Sequence, residues 1–294
     1  MKIKDIEASN YIFSNNLDLS TFTSSDIEYN NDKLEEKMEE LRNELSEFQD
    51  KMYAHNKYSV LICLQGMDTS GKDSLIREVF KGFNARGVVV QSFKVPSTTE
   101  LEHDYLWRHY IALPEKGKIT VFNRSHYENL LVTRVHPEYI FAENIPTINS
   151  IEDINQDFWS QRMESINNFE KHLAKNGTII LKFFLNLSKD EQKNRLLRRL
   201  ETPKHNWKFS EGDLKERKLW DNYQLAYHDL LINTHQPHAP WFVIPADDKD
   251  LCRYIVAKTI HQELLKYTDV KFPELDEKLK VNLSHFKDIL ENEE

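Results

Sequence analysis

The segment Gly-Met-Asp-Thr-Ser-Gly-Lys-Asp at 66–73 constrains this chain more than any other stretch. It follows an apolar run, Tyr58–Leu64, and opens a helical pattern that extends through about Arg86. A G-x-x-x-x-G-K core between a strand and a helix is the setting of a phosphate-binding loop. Gly66 and Gly71 permit the tight backbone, and successive N–H groups through Thr69, Ser70 and Ser74 can face an anion. The helix N-terminus adds partial positive charge, and Lys72 brings a mobile ammonium to bridging phosphate oxygens.

Such a loop belongs to alternating βα architecture, and the rest of the chain supplies it. Four further apolar runs, Val88–Phe93, Ile119–Phe122, Thr178–Leu185 and Trp241–Ile244, are separated by helical stretches near 101–112, 125–134, 151–175 and 213–232. Five buried strands with helical crossovers predict an α/β fold with a parallel five-stranded sheet flanked by helices. A helix at about 247–267 closes the core, taken as 57–268, and 269–294 reads as a charged tail with room for one short helix. Before the core, residues 1–30 are polar and aperiodic and read as an extended arm or a poorly ordered start. Leu34, Met38, Leu41, Leu45, Phe48 and Met52 then recur in steps of four and three, which predicts an amphipathic helix packed within the chain; 1–56 is thus an N-terminal helical extension.

Two cysteines, Cys63 and Cys252, in strand and helix contexts support neither a disulfide framework nor a zinc site, and the expected compartment is the cytoplasm. No apolar run reaches the ~20 residues of a membrane span. A net charge of −9 argues against coating nucleic acid, but the charge is unevenly spread. Over 191–219 nine Lys or Arg face five acids, which leaves −13 for the remainder. Pro203 and Gly212 bracket this basic segment, which reads as a helical lid offering Arg195, Arg198 and Arg199, with Lys208 beside them. Lys81 and Arg86, after the loop, are further candidates for an anion channel.

Two acids set the loop apart from that of ordinary nucleotide hydrolases. Asp73 replaces the hydroxyl residue that normally follows the lysine, and Asp68 lies inside the loop, where it would repel a phosphate chain unless Mg²⁺ or an acceptor proton intervened. Both can offer oxygens to Mg²⁺, although Asp73 can equally cap the helix beside it. The third strand ends in Asn123-Arg124 rather than the metal-binding Asp of most ATPases. Arg124 and Arg134 fall on the side of an open sheet where phosphates bind. Glu128 either pairs with Arg124 one helical turn away or faces the site.

With GMDTSGKD, FNRSHYENLLVTRVHPE at 122–138, WKFSEGDLKERKLWDNYQLAYHDLLINT at 207–234 and APWFVIPADDK at 239–249, the chain resembles the polyphosphate kinase 2 family. The resemblance spans most of 58–260 and implies a P-loop kinase fold like that of thymidylate kinase, with a lid and Mg²⁺-dependent transfer, Mn²⁺ being a substitute ion. It implies phosphoryl exchange between inorganic polyphosphate and adenine or guanine nucleotides, with ADP, GDP and AMP as acceptors, by a homo-oligomer. By the same carry-over Asp68 orients the acceptor phosphate and binds Mg²⁺ with Asp73, Lys72 and Arg124 hold the transferring group, and Arg134 with Arg199 holds the chain. Glu128 would lie near metal and acceptor, and His136-Pro137-Glu138 resembles the subgroup that accepts both mono- and diphosphates. The main rival is an ATP-dependent nucleotide or small-molecule kinase with the same loop and lid; a nucleotide-binding module without transfer activity is the other.

Overall fold

The structure, a computed structural model, describes residues 2–23 and 27–293. Helix α1 (Asn31–His55) leads into β1 (Ser59–Gln65), the loop and α2 (Lys72–Val79). Then come β2 (Val88–Ser92), two single turns α3 (Thr98–Leu101) and α4 (Trp107–Tyr110), β3 (Ile119–Asn123), α5 (Glu128–Val135) and α6 (Gln156–Lys175). After β4 (Thr178–Asn186) the chain forms α7 (Lys189–Glu201), α8 (Glu211–Lys218) and α9 (Trp220–Thr234). It ends in β5 (Trp241–Pro245), α10 (Lys249–Leu264) and α11 (Glu277–Glu291). The sheet order is β2-β3-β1-β4-β5, parallel throughout. All five strands therefore deliver their C-terminal ends to one edge, where ligands bind in open α/β sheets.

The six apolar positions of α1 are buried in one cluster with Val60, Ile62 and Leu64 of β1 and Ile255, Val256 and Ile260 of α10. At about 1.5–3 kcal/mol per fully buried side chain, this stripe fixes α1 against the sheet layer without a partner chain. The expected helix over 101–112 is instead two isolated turns, and the one over 213–232 breaks at Leu219 into α8 and α9. β2 departs most from expectation. As the outer strand it leaves Val89 39% and Val90 45% exposed, so four strands, not five, have the buried character that their apolar runs suggest.

The N-terminal arm is built into the fold. Phe13 N–H donates to Trp241 O at 2.9 Å and Val243 N–H to Tyr11 O at 2.8 Å, an antiparallel addition to the far edge of β5. Ile6, Ala8, Tyr11 and Phe13 are buried, and Asn186 Nδ2 donates to Leu19 O and Phe22 O. Alternation confined to Tyr11 and Phe13 is too short to register as a strand. Deleting residues 2–13 is expected to lower the free energy of unfolding by about 4 kcal/mol, since three large apolar side chains are lost. Urea denaturation checks this, and an unchanged midpoint would refute the arm's structural role. No helix among the described residues is long and apolar enough to cross a membrane.

Candidate active site

Four residues with positive φ, Gly66, Thr69, Gly71 and Arg124, shape the loop and the strand end beside it. Gly66 has φ +155°, and a Cβ there would meet Leu185 O at 2.9 Å, so only glycine lets the loop pass the end of β4. Thr69 (φ +69°) and Arg124 (φ +61°) are non-glycine residues in the left-handed region. Such conformations cost of order 1–3 kcal/mol and persist where surrounding contacts over-determine them. Ser70 N–H donates to Met67 O, closing the turn. The first N–H groups of α2 lack intrahelical acceptors, and the residues that carry them, Lys72, Asp73 and Ser74, line a cleft of about 1060 Å³ together with Gly71. The N-cap is Gly71, with no side-chain cap, so the capping role considered for Asp73 is not adopted. Ser74 Oγ donates to Gly71 O instead of facing outward.

Lys72 is buried and folds along the loop, with Nζ 2.6 Å from Gly66 O and 3.4 Å from Ser70 Oγ. Burial, and secondarily the nearby Arg124 charge, pushes its ammonium down to about 8. Arg124 Nη2 donates to Asp68 Oδ1 at 2.9 Å, and Nη1 lies 3.7 Å from Glu128 Oε2. Burial alone would lower the guanidinium; Glu128 and Asp68 outweigh it and hold it above its ordinary value. Glu128 pairs with Arg124 and lines a cavity beside the cleft, not the cleft itself. Asn123 Nδ2 donates to Asp73 Oδ1 at 2.6 Å. Asp68 and Asp73 both line the cleft at the mouth of the loop.

The lid arginines divide. Arg198 and Arg199 line the cleft, with Arg199 Nη1 3.0 Å from Asp213 Oδ2 of α8. Arg195 touches the cleft but is 4% exposed, and its donors are committed inward. Nε donates to Glu191, Nη1 to Thr69 O and Ser70 O, and Nη2 to Ala246 O and Asp247 O. Five N–H bonds meet five acceptors, so Arg195 is a clamp behind the loop in place of the mobile phosphate ligand expected of it. Arg134 is also placed differently. Its Nη2 donates to Asp229 at 2.5 Å and its guanidinium covers the Trp159 ring at 4.8 Å, between α5, α6 and α9, and it does not line the cleft. Arg86 lies over Tyr53 of α1, and neither it nor Lys81 lines the cleft. The Lys208 side chain lies outside the described residues.

The cleft gains cations that were not singled out from sequence: Arg77, Lys94, Lys249 and Arg253. The available signal was positional, since Lys249 and Arg253 lie one turn apart at the start of the helix after β5, whose C-terminal end faces this same edge. A second cavity of about 430 Å³ adjoins the cleft. Phe93, Val95, Leu101, Tyr105, Val132 and Tyr139 give it an apolar lining, and Arg124 stands on the wall of both. No sequence pattern revealed this cavity. No group of three or more His, Cys, Asp or Glu forms a metal cage among the described residues. Mg²⁺ needs none, because it takes one or two carboxylates and fills its shell with phosphate and water. The pair Asp68 and Asp73, each with one oxygen bound to a neighbour, fits that requirement.

A glycine loop opening a helix, a buried lysine, a basic cleft with a helical cover and an adjoining apolar cavity together define a phosphotransferase of the P-loop class. The sequence model for "Polyphosphate kinase 2 (PPK2)" matches residues 28–273, and the chain belongs to that family. It is 48% identical over 230 residues to an ADP-polyphosphate phosphotransferase of Rhodopseudomonas palustris, covering 78% of each chain. It is 44% identical to an AMP/ADP-polyphosphate phosphotransferase of Meiothermus ruber, covering 80% of this chain and 82% of that one. The crystal structure of polyphosphate kinase 2 from Arthrobacter aurescens TC1 superposes with a TM-score of 0.85 at 30% identity, covering 96% of this chain and 97% of that one.

Proposed function

We propose that the protein transfers phosphoryl groups between inorganic polyphosphate and nucleoside di- or monophosphates, with ADP, GDP and AMP as acceptors. The observation that carries this is the meeting of two unlike cavities at Arg124, one of about 1060 Å³ lined with Lys and Arg, the other of about 430 Å³ and mainly apolar. The names of the relatives support polyphosphate with ADP and AMP. Arg77, Arg198, Arg199, Lys249 and Arg253 neutralise the chain, and the loop N–H groups with Lys72 hold the terminal phosphates. Arg124 bridges donor and acceptor, where its planar fork can follow the charge that spreads over the transferring group. Asp68, held by Arg124, orients the attacking acceptor oxygen. Asp68 and Asp73 would hold Mg²⁺, which would neutralise phosphate charge; Mn²⁺ fits the same oxygen donors. Buried free thiols at Cys63 and Cys252 accord with a reducing cytoplasm. The exposed apolar side chains of β2 and α11 accord with a homo-oligomer.

The test mixes protein, Mg²⁺ and polyphosphate with AMP, ADP, GMP or GDP, and follows products by chromatography, with ATP replacing polyphosphate as control. Triphosphate formed only with polyphosphate is the expected result. Transfer from ATP alone would make this an ATP-dependent kinase, and nucleotide binding without turnover a binding module.

Lys72 predicts the pH dependence. With its pKa lowered to about 8 in the folded protein, the free enzyme loses the ammonium above that pH. The kcat/KM for polyphosphate should then fall with a slope approaching about one log unit per pH unit. The stability effect has the opposite sign. Between the folded value and the ordinary lysine value the unfolded chain binds more protons, so this group makes stability rise with pH. A flat kcat/KM profile between pH 7 and about 10 would remove Lys72 from donor binding.

A further inference from the structure

Behind the site lies a buried polar network that the mechanism above does not use. Glu170 of α6 and Lys182 of β4 are both 0% exposed, with Lys182 Nζ 2.7 Å from Glu170 Oε2. Lys182 also donates to the Tyr127 hydroxyl and to Thr234 O, each at 2.7 Å, so its three N–H bonds are all used. The Tyr127 hydroxyl donates to Glu170 Oε1 at 2.7 Å, and His126 Nε2 lies 3.1 Å from the same oxygen. Ser125 Oγ accepts from Gln65 Nε2 at the end of β1 and from Tyr127 N–H. Burial works to raise the Glu170 carboxyl, but Lys182 and His126 outweigh it and hold it ionised below the ordinary range.

Every side chain of Ser125–Tyr127 is therefore bonded to the body of the protein. This leg joins Arg124, in its left-handed conformation, to Glu128, the first residue of α5. An arginine in that conformation needs its neighbours held, and Glu170 is the acceptor on which two of the three side chains converge. We infer that Glu170, neutralised by Lys182, is a positioning residue for phosphoryl transfer: it fixes the Ser125–Tyr127 leg and so aims Arg124 at the junction of the two cavities. The inference rests on the role given to Arg124 above.

Removing one ion alone would strand the other, so the test removes both: Glu170→Gln with Lys182→Met, at nearly unchanged volume. In the full chain the pair of changes is expected to lower kcat about tenfold while KM for polyphosphate and for ADP stays within about twofold. On an Arg124→Ala background the same changes should cost less than about twofold, because the group through which they act is already gone. A folded double variant with the parent's kcat overturns the inference, as does a loss of about tenfold that persists on the Arg124→Ala background. If the double variant does not fold, Tyr127→Phe takes its place in the same cycle, with a loss of about threefold expected and the same criterion of non-additivity. The cycle is run with whichever phosphoryl donor the parent uses. A parent that ignores polyphosphate would sink the donor assignment while leaving the Glu170 cycle readable.

Discussion

Asp68→Asn is expected to lower kcat by about 10²-fold or more while the fold and its urea midpoint stay near those of the parent. The substitution keeps volume and removes only charge. In the parent, one carboxylate oxygen accepts from Arg124 at 2.9 Å at the mouth of the loop. An amide there still accepts one bond, but it can neither orient an acceptor oxygen by charge nor serve as an anionic metal ligand. The loss should fall on kcat more than on the KM for polyphosphate, because the cations that hold the chain are untouched. Steady-state rates with ADP at saturating polyphosphate give the answer. Unchanged turnover would take Asp68 out of the mechanism.

The second large effect is expected of Arg195→Lys, a change that preserves charge. Lysine offers three donors from one point, whereas Arg195 spans four backbone carbonyls from two separate segments. In a trans peptide the N–H points opposite the carbonyl, so the hold on Ser70 O turns the Gly71 N–H away from the clamp. The hold on Thr69 O secures a residue at φ +69°. Releasing both should loosen the cradle before any substrate arrives. We expect a loss of about 2–4 kcal/mol in stability, from buried carbonyls left without partners, and about 10²-fold in kcat, from a displaced loop. Amide hydrogen exchange over residues 66–75 in the substrate-free protein separates this from phosphate binding. Faster exchange marks a clamp, while parent-like exchange with a raised KM would mark an ordinary phosphate ligand.

What could be read from the sequence was what is local. The loop, Lys72 and Asp68 follow from spacing around one strand-to-helix turn, Arg124 from the end of the third apolar run, and the parallel sheet from five apolar runs with helices between them. Arg195 and Arg134 could not be placed this way. Both sit on helices in basic or amphipathic contexts, and whether such a side chain reaches a phosphate, a backbone carbonyl or an aspartate depends on elements distant in sequence: residues 69–70 and 246–247 for Arg195, Asp229 for Arg134. The apolar cavity is likewise assembled from 93–108 and 124–143, each unremarkable alone. The Glu170–Lys182 pair was masked by composition, since a lysine within an otherwise apolar strand and a glutamate on a helix reveal their meeting only when the elements pack.

The docked N-terminal arm also bears on how the chain comes to be folded. Residues of the arm find their partners far along the chain: Ala8 N–H binds Gln262 Oε1 across 254 positions, and Tyr11 and Phe13 pair with β5. During synthesis the arm must wait, unsatisfied, until nearly the whole core has emerged. Closing so long a loop is entropically slow, and contacts of this separation characterise late folding events. Until the arm closes, β5 presents an unprotected edge, the kind of surface on which nascent chains pair wrongly. The seal on that edge can therefore form only after β5 and α10 are in place.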